Sequence, residues 1–490
     1  MHQSQIDQLR DAPIETPMMI IGGQPVLAIS GKTLPVISPI DGQEIAQIPD
    51  AGTGDVDLAV AAARRSFEGA IWAGLAPAAR KSVLLKWADL IEANALELAV
   101  LGVRDNGTEI SMAYKAEPFS AIGTIRYYAE AIDKVYGEVA PTGPDTLGMI
   151  LREPVGVVAA IVPWNFPMMI AAWKIAPALA SGNSVVVKPS EMASLTVMRM
   201  VALALEAGLP DGVLNVVTGT GAVAGQALAR SMDVDALAFT GSGGVGRQLM
   251  EYAAQSNLKR VFLELGGKSP HIVFDDCADL DKAATAVVNG IFRNAGQVCI
   301  AGSRLIVQRS IHDVFVKKIT KLAAKMRVGD PLNMTTQVGA LNSELHMQRV
   351  LDVITGAHSI ETGGERIHAD TGGFYIAPTI ISGVTEDDLL FKEEIFGPIL
   401  TVTAFDDEAD AIRLANNTEL GLAAGVWTDN LSRAHRMVAA VRAGVVHVNT
   451  FGGADNTVPL GGYKQSGNGQ DKSLLAIDKF TNRKTVWIKL

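Results

Sequence analysis

Cysteine is scarce in this chain: its 490 residues hold only two, Cys277 and Cys299. So few thiols in so long a chain exclude a disulfide framework and point to a reducing, cytoplasmic compartment. No C-x-x-C and no H-E-x-x-H occurs, so no metal site is expected. Aromatics are 6% and charged residues 19%, against 48% hydrophobic residues. That balance excludes a disordered or fibrous chain and suits a large packed core. Long apolar runs are also missing. The most apolar stretch, Ile161 to Ala180, is interrupted by Pro163, Asn165, Pro167, Lys174 and Pro177, and reads as a strand end and buried helix with no membrane span. Met1 to Pro17 is polar and mixed in charge, so no secretory signal is expected. Excess positive charge is absent too: the formal net charge of −10 argues against nucleic-acid binding.

The length suggests two to four domains. Helical patterns fill Val56 to Phe67, Ala79 to Val103 and Phe119 to Val135. Val155 to Val162 is a continuous β-branched run, as expected for a strand covered on both faces. Strand patterns at 184–188, 213–217, 236–239 and 261–265 follow, with helical patterns at 168–180, 194–207, 222–229 and 245–254 between them. This alternation predicts a parallel, doubly wound sheet. Strand candidates at 271–274, 303–307, 399–404, 423–427 and 445–449 predict a second α/β unit. The Gly-rich segment 357–375 reads as loops. Lys484 to Ile488 alternates and ends the chain as a strand, expected to complete a sheet in another subunit.

Gly241, Gly243 and Gly246 spell G-x-G-x-x-G between a strand and a helix, where glycines let backbone approach a pyrophosphate at a helix N-terminus. A second turn, Thr218-Gly219-Thr220-Gly221, also follows a strand. Glu264 lies 18 residues after Gly246, which on the Rossmann pattern would place it on a ribose hydroxyl. A tight strand-to-helix turn without a ligand fits the same glycines. Cys299 is flanked by small residues in Asn294-Ala295-Gly296-Gln297-Val298-Cys299-Ile300-Ala301-Gly302, open to a substrate, whereas Cys277 ends an apolar run. A lone thiol is as readily core as nucleophile. None of the eight histidines sits in a motif tied to Cys299, so a thiol hydrolase is unsupported.

The segments 163–167 (PWNFP), 188–191 (KPSE), 239–242 (FTGS), 263–268 (LELGGK), 296–299 (GQVC) and 393–398 (EEIFGP) resemble, in order and spacing, the aldehyde dehydrogenase superfamily. The resemblance spans essentially the whole chain. It implies an α/β fold with three parts: a Rossmann-like coenzyme domain (1–136 and 155–266), an α/β catalytic domain (267–477) and a small β oligomerisation element (137–154 and 478–490). It also implies a homodimer or homotetramer. By the same resemblance Cys299 is the nucleophile that carries a thiohemiacetal and then a thioester, Asn165 is an oxyanion donor, and Glu264 is the base that activates water, which moves Glu264 away from the ribose. Cofactor contacts fall on Ile161, Pro163, Trp164, Lys188, Ser190, Glu191, Gly221, Gly241, Ser242, Val245, Leu265, Glu394 and Phe396. Glu191 near a ribose favours NAD, with NADP as the second option, because a carboxylate repels a 2′-phosphate. Gly243-Gly244 depart from the Thr-Glu usual in that turn and make it more pliable.

Within the superfamily, 128–139 and 461–469 are most similar to γ-glutamyl-γ-aminobutyraldehyde and guanidinobutyraldehyde dehydrogenase-like members. The implied substrate pocket is Glu117, Ser120, Phe166, Met169, Trp173, Val298, Ile300, Ala454 and Leu460, mostly apolar. Glu117 could attract a cationic tail or be a solvent-facing charge before Pro118. ω-Amino or medium-length aldehydes are therefore expected, with broad aliphatic or aromatic specificity as the alternative. A CoA-acylating semialdehyde dehydrogenase is disfavoured because such members typically lack the Glu264 equivalent. A non-catalytic member of the fold is disfavoured by intact Cys299, Asn165 and Glu264.

Overall fold

In a computed structural model of the chain, described over residues 1–357, 359–453 and 455–490, the β-branched run forms Val157–Val162 with every residue buried. Ser184–Pro189 is buried in the same way, and Leu214–Val216, Ala236–Thr240 and Arg260–Glu264 join in parallel register. Apolar helices Pro167–Ala180, Leu195–Glu206 and Gly243–Ala254 make the crossovers. Another crossover opens as a π-helical turn, Gly221–Gly225, and continues as Gln226–Arg230.

Across the sheet the strands run Arg260–Glu264, Ala236–Thr240, Val157–Val162, Ser184–Pro189, Leu214–Val216, then the antiparallel hairpin Met19–Ile21 and Gln24–Val26. Chain order reverses between Ala236–Thr240 and Val157–Val162. At such a reversal the following connections diverge to opposite faces, leaving a crevice at the carboxyl ends of the two strands.

The second seven-stranded sheet runs Ser359–Thr362, Thr379–Ser382, Ile399–Phe405, Arg304–Gln308, Pro270–Val273, Ala423–Trp427, Val445–Val448. It is parallel except for its first pair. Only the stretch from Leu265 to Ser269 joins the two sheets, so the end of one lies against the start of the other.

Three expectations need correction. The stretch 357–375 is not all loop: it holds Ser359–Thr362, Arg366–Ile367 and a short turn, Ala369–Thr371. Ser359–Thr362 is a largely exposed edge strand, so no burial alternation marks it, and its pairing is supplied by Thr379–Ser382. The pattern 79–103 is two helices, Pro77–Ala93 and Ala95–Asn106, broken where Asn94 leaves helical geometry and donates its side-chain amide to the Leu90 carbonyl. The terminal strand Thr481–Lys489 completes a sheet in its own chain, pairing along its whole length with Thr146–Pro154, which also pairs with Glu138–Ala140. Among the described residues no helix is long and apolar enough to cross a membrane.

Candidate active site

The crevice at the strand reversal is a cavity of about 420 Å³. Pro163, Trp164 and Asn165 reach it from the end of Val157–Val162, and Thr240, Gly241 and Ser242 from the end of Ala236–Thr240. Leu265 and Gly266 enter from the link between the sheets, and Cys299, Glu394 and Phe396 from the second unit. Both glycines of that link are closely approached, Gly266 by a movable side chain and Gly267 by backbone. A Cβ on Gly266 would fall 1.8 Å from Glu394 Oε2, and one on Gly267 2.6 Å from the Cys299 carbonyl oxygen.

The segment leading to Cys299 is bent and firmly held. Asn294 (φ 51°) and Ala295 (φ 50°) are left-handed, at a cost of about 1–2 kcal/mol for each non-glycine residue. Gly296 (φ 76°) has no room for a side chain, since a Cβ would meet the Gly397 carbonyl oxygen at 2.1 Å. Asn165 Nδ2 donates to the Gln297 carbonyl at 2.9 Å, which brings its amide beside the nucleophile candidate. Asn294 Nδ2 donates to the same carbonyl at 3.2 Å.

Burial, with the charges of Glu394 and Glu264, pushes the Cys299 thiol up to about 12. Burial also holds Glu264 well above the usual carboxylate range; Asp471 adds to this, and Lys174 and Lys479 oppose it. Glu264 Oε1 is buried without a hydrogen-bond partner. Glu394, half-buried on the cavity wall and accepting from the Gly267 N–H at 3.1 Å, is pushed up to about 7 by desolvation. Glu394 and Cys299 thus share the cavity wall, while Glu264 does not line the cavity but is close enough for its charge to act on the thiol. This arrangement suits acyl chemistry at sulfur, with Glu264 available as a base once ionised.

Lys188, Glu191 and Gly221 assemble outside this cavity. Lys188 Nζ lies 3.2 Å from Glu191 Oε2, and the Gly221 N–H donates to Glu191 Oε1 at 3.2 Å. Burial works to raise Glu191, but Lys188 and the backbone N–H groups outweigh it and keep the carboxylate below its ordinary value. Ile161 is in register with both Lys188 and Phe239, so the two clusters share one sheet end. Ser190 Oγ accepts from the Met192 N–H, and Ser242 Oγ caps the helix Gly243–Ala254 by accepting from Val245 N at 3.4 Å. Gly243-Gly244 leave the helix intact. A Cβ on Gly244 or Gly221 would have no neighbour within 4 Å, and Thr240 Oγ1, on the cavity wall, is buried without a partner. Open backbone, an unanswered hydroxyl and the rings of Trp164 and Phe396, which meet edge to face on the cavity wall (centroids 5.4 Å apart, planes at 87°), fit a phosphate-bearing chain ending beside an apolar wall.

The pocket residues group separately. Phe166, Trp173 and Leu460 are buried in one apolar cluster, with Met169, Val298 and Ile300 packed on it, but none of these lines the 420 Å³ cavity. Ser120 opens the helix Ser120–Ala131 and is partly buried. Glu117 is not solvent-facing. It is 1% exposed, its Oε2 accepts from Met169 N at 2.8 Å, and its Oε1 has no partner. Burial pushes it up to about 8. Ala454 lies outside the described residues.

Sequence reasoning missed His346, Arg349 and Val353, which face the cavity from the helix Glu344–Thr355. Their spacing is that of one helical face, the signal that was available. His346 Nε2 lies 2.8 Å from the Phe396 carbonyl oxygen.

Residues 27–486 match the model of the aldehyde dehydrogenase family. The chain belongs to the aldehyde dehydrogenase family. It is 50% identical to the NADP/NAD-dependent aldehyde dehydrogenase PuuC of Escherichia coli K12, over 96% of this chain and 95% of that one. Two solved structures superpose over 100% of both chains with TM-scores of 0.98. One is an indole-3-acetaldehyde dehydrogenase of P. syringae in complex with NAD+, 48% identical. The other is a γ-glutamyl-γ-aminobutyraldehyde dehydrogenase of Burkholderia cenocepacia, 49% identical. The aldehyde dehydrogenase fold expected from the motifs is therefore the fold found.

Proposed function

We propose that this aldehyde dehydrogenase oxidises ω-amino or medium-length aldehydes to carboxylic acids through Cys299, using NAD and, less readily, NADP. The observation that carries the reading is the convergence of Cys299, Asn165 and Glu394 on a cavity at the strand reversal, with the buried Thr240 hydroxyl unanswered on its wall. Glu394 and Phe396 would hold the nicotinamide end of the cofactor, Gly241 and Ser242 its pyrophosphate with Trp164 alongside, and Lys188, Glu191 and Gly221 its adenosine end. The bound dinucleotide supplies the acceptor for the two electrons of the aldehyde C–H bond.

The chain's own residues do the rest. Cys299 Sγ releases its proton to solvent and bonds to the aldehyde carbon, and the carbonyl π electrons move to oxygen. The Asn165 amide and the Cys299 N–H stabilise that oxyanion, an effect worth roughly 10²–10³ in rate for each such donor. After oxidation the acyl group is a thioester on Cys299. Glu264 takes a proton from water as the water oxygen attacks that carbonyl. The C–S bond then breaks, releasing the carboxylic acid and returning the thiol.

The substrate class is supported by the likeness to the γ-glutamyl-γ-aminobutyraldehyde dehydrogenase of Burkholderia cenocepacia and by the apolar cluster around Phe166 and Trp173. Glu117 contributes less than its sequence position suggested, because a carboxyl buried on a helix N-terminus offers a cationic tail little charge at neutral pH. We place the domain limits at 1–136 with 155–266, 267–477, and 137–154 with 478–490; the two seven-stranded sheets and the three-stranded sheet, each drawn from one of these sets of residues, support that division. Exposed Val139, Leu151 and Trp487 on the third sheet support a homo-oligomer, and the two unpaired cysteines support a cytoplasmic setting.

The test is a kcat/KM panel of aliphatic, aromatic and ω-amino aldehydes with NAD and NADP in parallel, without added CoA. The expected outcome is highest kcat/KM for an ω-amino or medium-length aldehyde with NAD, and loss of activity in Cys299→Ala. Equal rates across the panel would remove the substrate claim, and a strict CoA requirement would remove hydrolysis by Glu264.

A further inference from the structure

We infer that the ion pair between the buried Glu109 and the partly exposed Arg293 is a positioning device that holds the left-handed turn at Asn294 and so aims the Asn165 amide at the oxyanion formed on the Cys299 adduct. The inference rests on the proposed role of Cys299 as nucleophile.

Glu109 is completely buried at the start of the helix Ile110–Tyr114, far in sequence from the thiol. Its carboxylate grips both residues that begin the bend. Oε1 pairs with Arg293 Nε, and Oε2 accepts from the Asn294 N–H at 3.1 Å. The neighbours complete the grip: Thr108 Oγ1 donates to Asn294 Oδ1 at 2.7 Å, and Arg293 donates to Ser111 Oγ at 2.9 Å. Asn294 is therefore fixed on its backbone nitrogen and its side-chain oxygen. Its remaining side-chain donor, Nδ2, reaches the Asn165 carbonyl at 3.4 Å and the Gln297 carbonyl at 3.2 Å, the same carbonyl that receives the Asn165 amide.

The chain of contacts from Glu109 to the proposed oxyanion donor is continuous. An asparagine in a left-handed bend relaxes unless its surroundings over-determine it. A buried carboxylate holding two adjacent residues, one by charge and one by its N–H, does so. The carboxylate touches neither the substrate pocket nor the cofactor cavity, so its effect must pass through the turn.

The experiment uses the full-length enzyme with Glu109→Gln and Arg293→Ala, each also combined with Asn165→Ala, and Cys299→Ala as control. Glu109→Gln keeps an acceptor for the Asn294 N–H but removes the charge pair. Expected for each single variant is a fall in kcat of about 10- to 100-fold, the scale of a small misplacement at a reacting centre. KM for NAD should stay within about twofold, because the binding residues are untouched. In the Asn165→Ala background the further loss should shrink to less than about threefold, since both changes act on one oxyanion. Arg293→Lys, which keeps the charge, should recover part of kcat.

A kcat near wild type in both single variants overturns the inference. So does an equal fold-loss with and without Asn165, which would make the pair an anchor for the fold only. If Glu109→Gln does not fold, Arg293→Ala carries the test, since that side chain is partly exposed. Full activity in Cys299→Ala would instead defeat the nucleophile reading, a result distinct from either.

Discussion

Two turns meet at this site and are built in opposite ways. Gly241 to Gly246 is an open cradle: Ser242 caps the helix and the Gly244 position faces empty space. Asn294 to Cys299 is a clamp, with two left-handed non-glycine residues, a Gly296 enclosed by the Gly397 carbonyl, and two side-chain amides on the Gln297 carbonyl. On the proposed roles, the contrast follows from what each turn must do. A dinucleotide is gripped along its whole length, so one pliable turn costs little, whereas a nucleophile and its oxyanion donors must be placed to fractions of an ångström before the substrate arrives.

The largest effect expected is on the chemistry the clamp serves. Glu264→Gln should lower steady-state kcat by roughly 10²–10⁴, the usual contribution of a general base. Oxidation does not need that base, so rapid mixing should still give a burst of reduced cofactor close to one per site. Burial holds Glu264 protonated above the ordinary carboxylate range, and only its anion can take a proton from water. Wild-type turnover should therefore rise with pH beyond that range, and the rise should vanish in the variant. Loss of the burst together with turnover would show that Glu264 acts before the thioester.

Next comes the clamp itself. Gly296→Ala must displace the Gly397 carbonyl at a left-handed position, and is expected to destabilise the protein by about 1–3 kcal/mol, as overpacking does. Thermal unfolding and kcat should fall together. A variant of wild-type stability would mean that the turn is looser than its contacts imply.

Much of this contrast was legible in the sequence. The continuous burial of Val157–Val162 followed from its β-branched run, and Gly241, Ser242, Leu265 and Cys299 were named from motifs before their convergence was visible. The G-x-G-x-x-G spacing by itself would put Glu264 on a ribose; in the fold the edge strand Arg260–Glu264 passes directly into the second sheet and the Glu264 charge acts on the Cys299 thiol, which supports the proposed base. Local pattern could not reveal long-range partners. His346 and Arg349 sit on an unremarkable amphipathic helix, and no local motif marks Glu109, whose partners Arg293 and Asn294 lie 184 and 185 residues away. Glu117 read as either a surface charge or a substrate contact, and only the fold shows it buried on a helix N-terminus. Short exposed strands such as Ser359–Thr362 carry too little burial pattern to be seen without their partners.

The clamped side is also where buried carboxyls make stability depend on pH. Glu117 supports the helix Pro167–Ala180 directly after Asn165, and its carboxyl is pushed up to about 8. A carboxyl with a raised folded-state pKa stabilises the fold while protonated. That contribution is fully present below the unfolded value near 4.5 and is lost as pH rises toward 8. Glu117→Gln keeps an acceptor for the Met169 N–H without an ionisable proton, so its stability relative to wild type should improve by roughly 1–3 kcal/mol between pH 5 and pH 8. Urea unfolding at the two pH values checks this. Parallel curves would mean that Glu117 does not titrate in this window.

The smallest effect should fall on the cradle. Gly244 lies in the first turn of the helix Gly243–Ala254 with a negative φ and no atom near a prospective Cβ. Gly244→Ala therefore loses no contact and reduces the freedom of the unfolded chain, which should stabilise the protein by about 0.4–1 kcal/mol. Because the Ser242 cap and the Gly241 approach stay as they are, KM for NAD should move by no more than about twofold. Isothermal titration with NAD and thermal unfolding of the same preparation separate the two quantities. A gain in stability with a large loss of NAD affinity would show that the cofactor uses the empty space at Gly244, and that the second glycine of the turn is there for close approach of the ligand and not only for pliability.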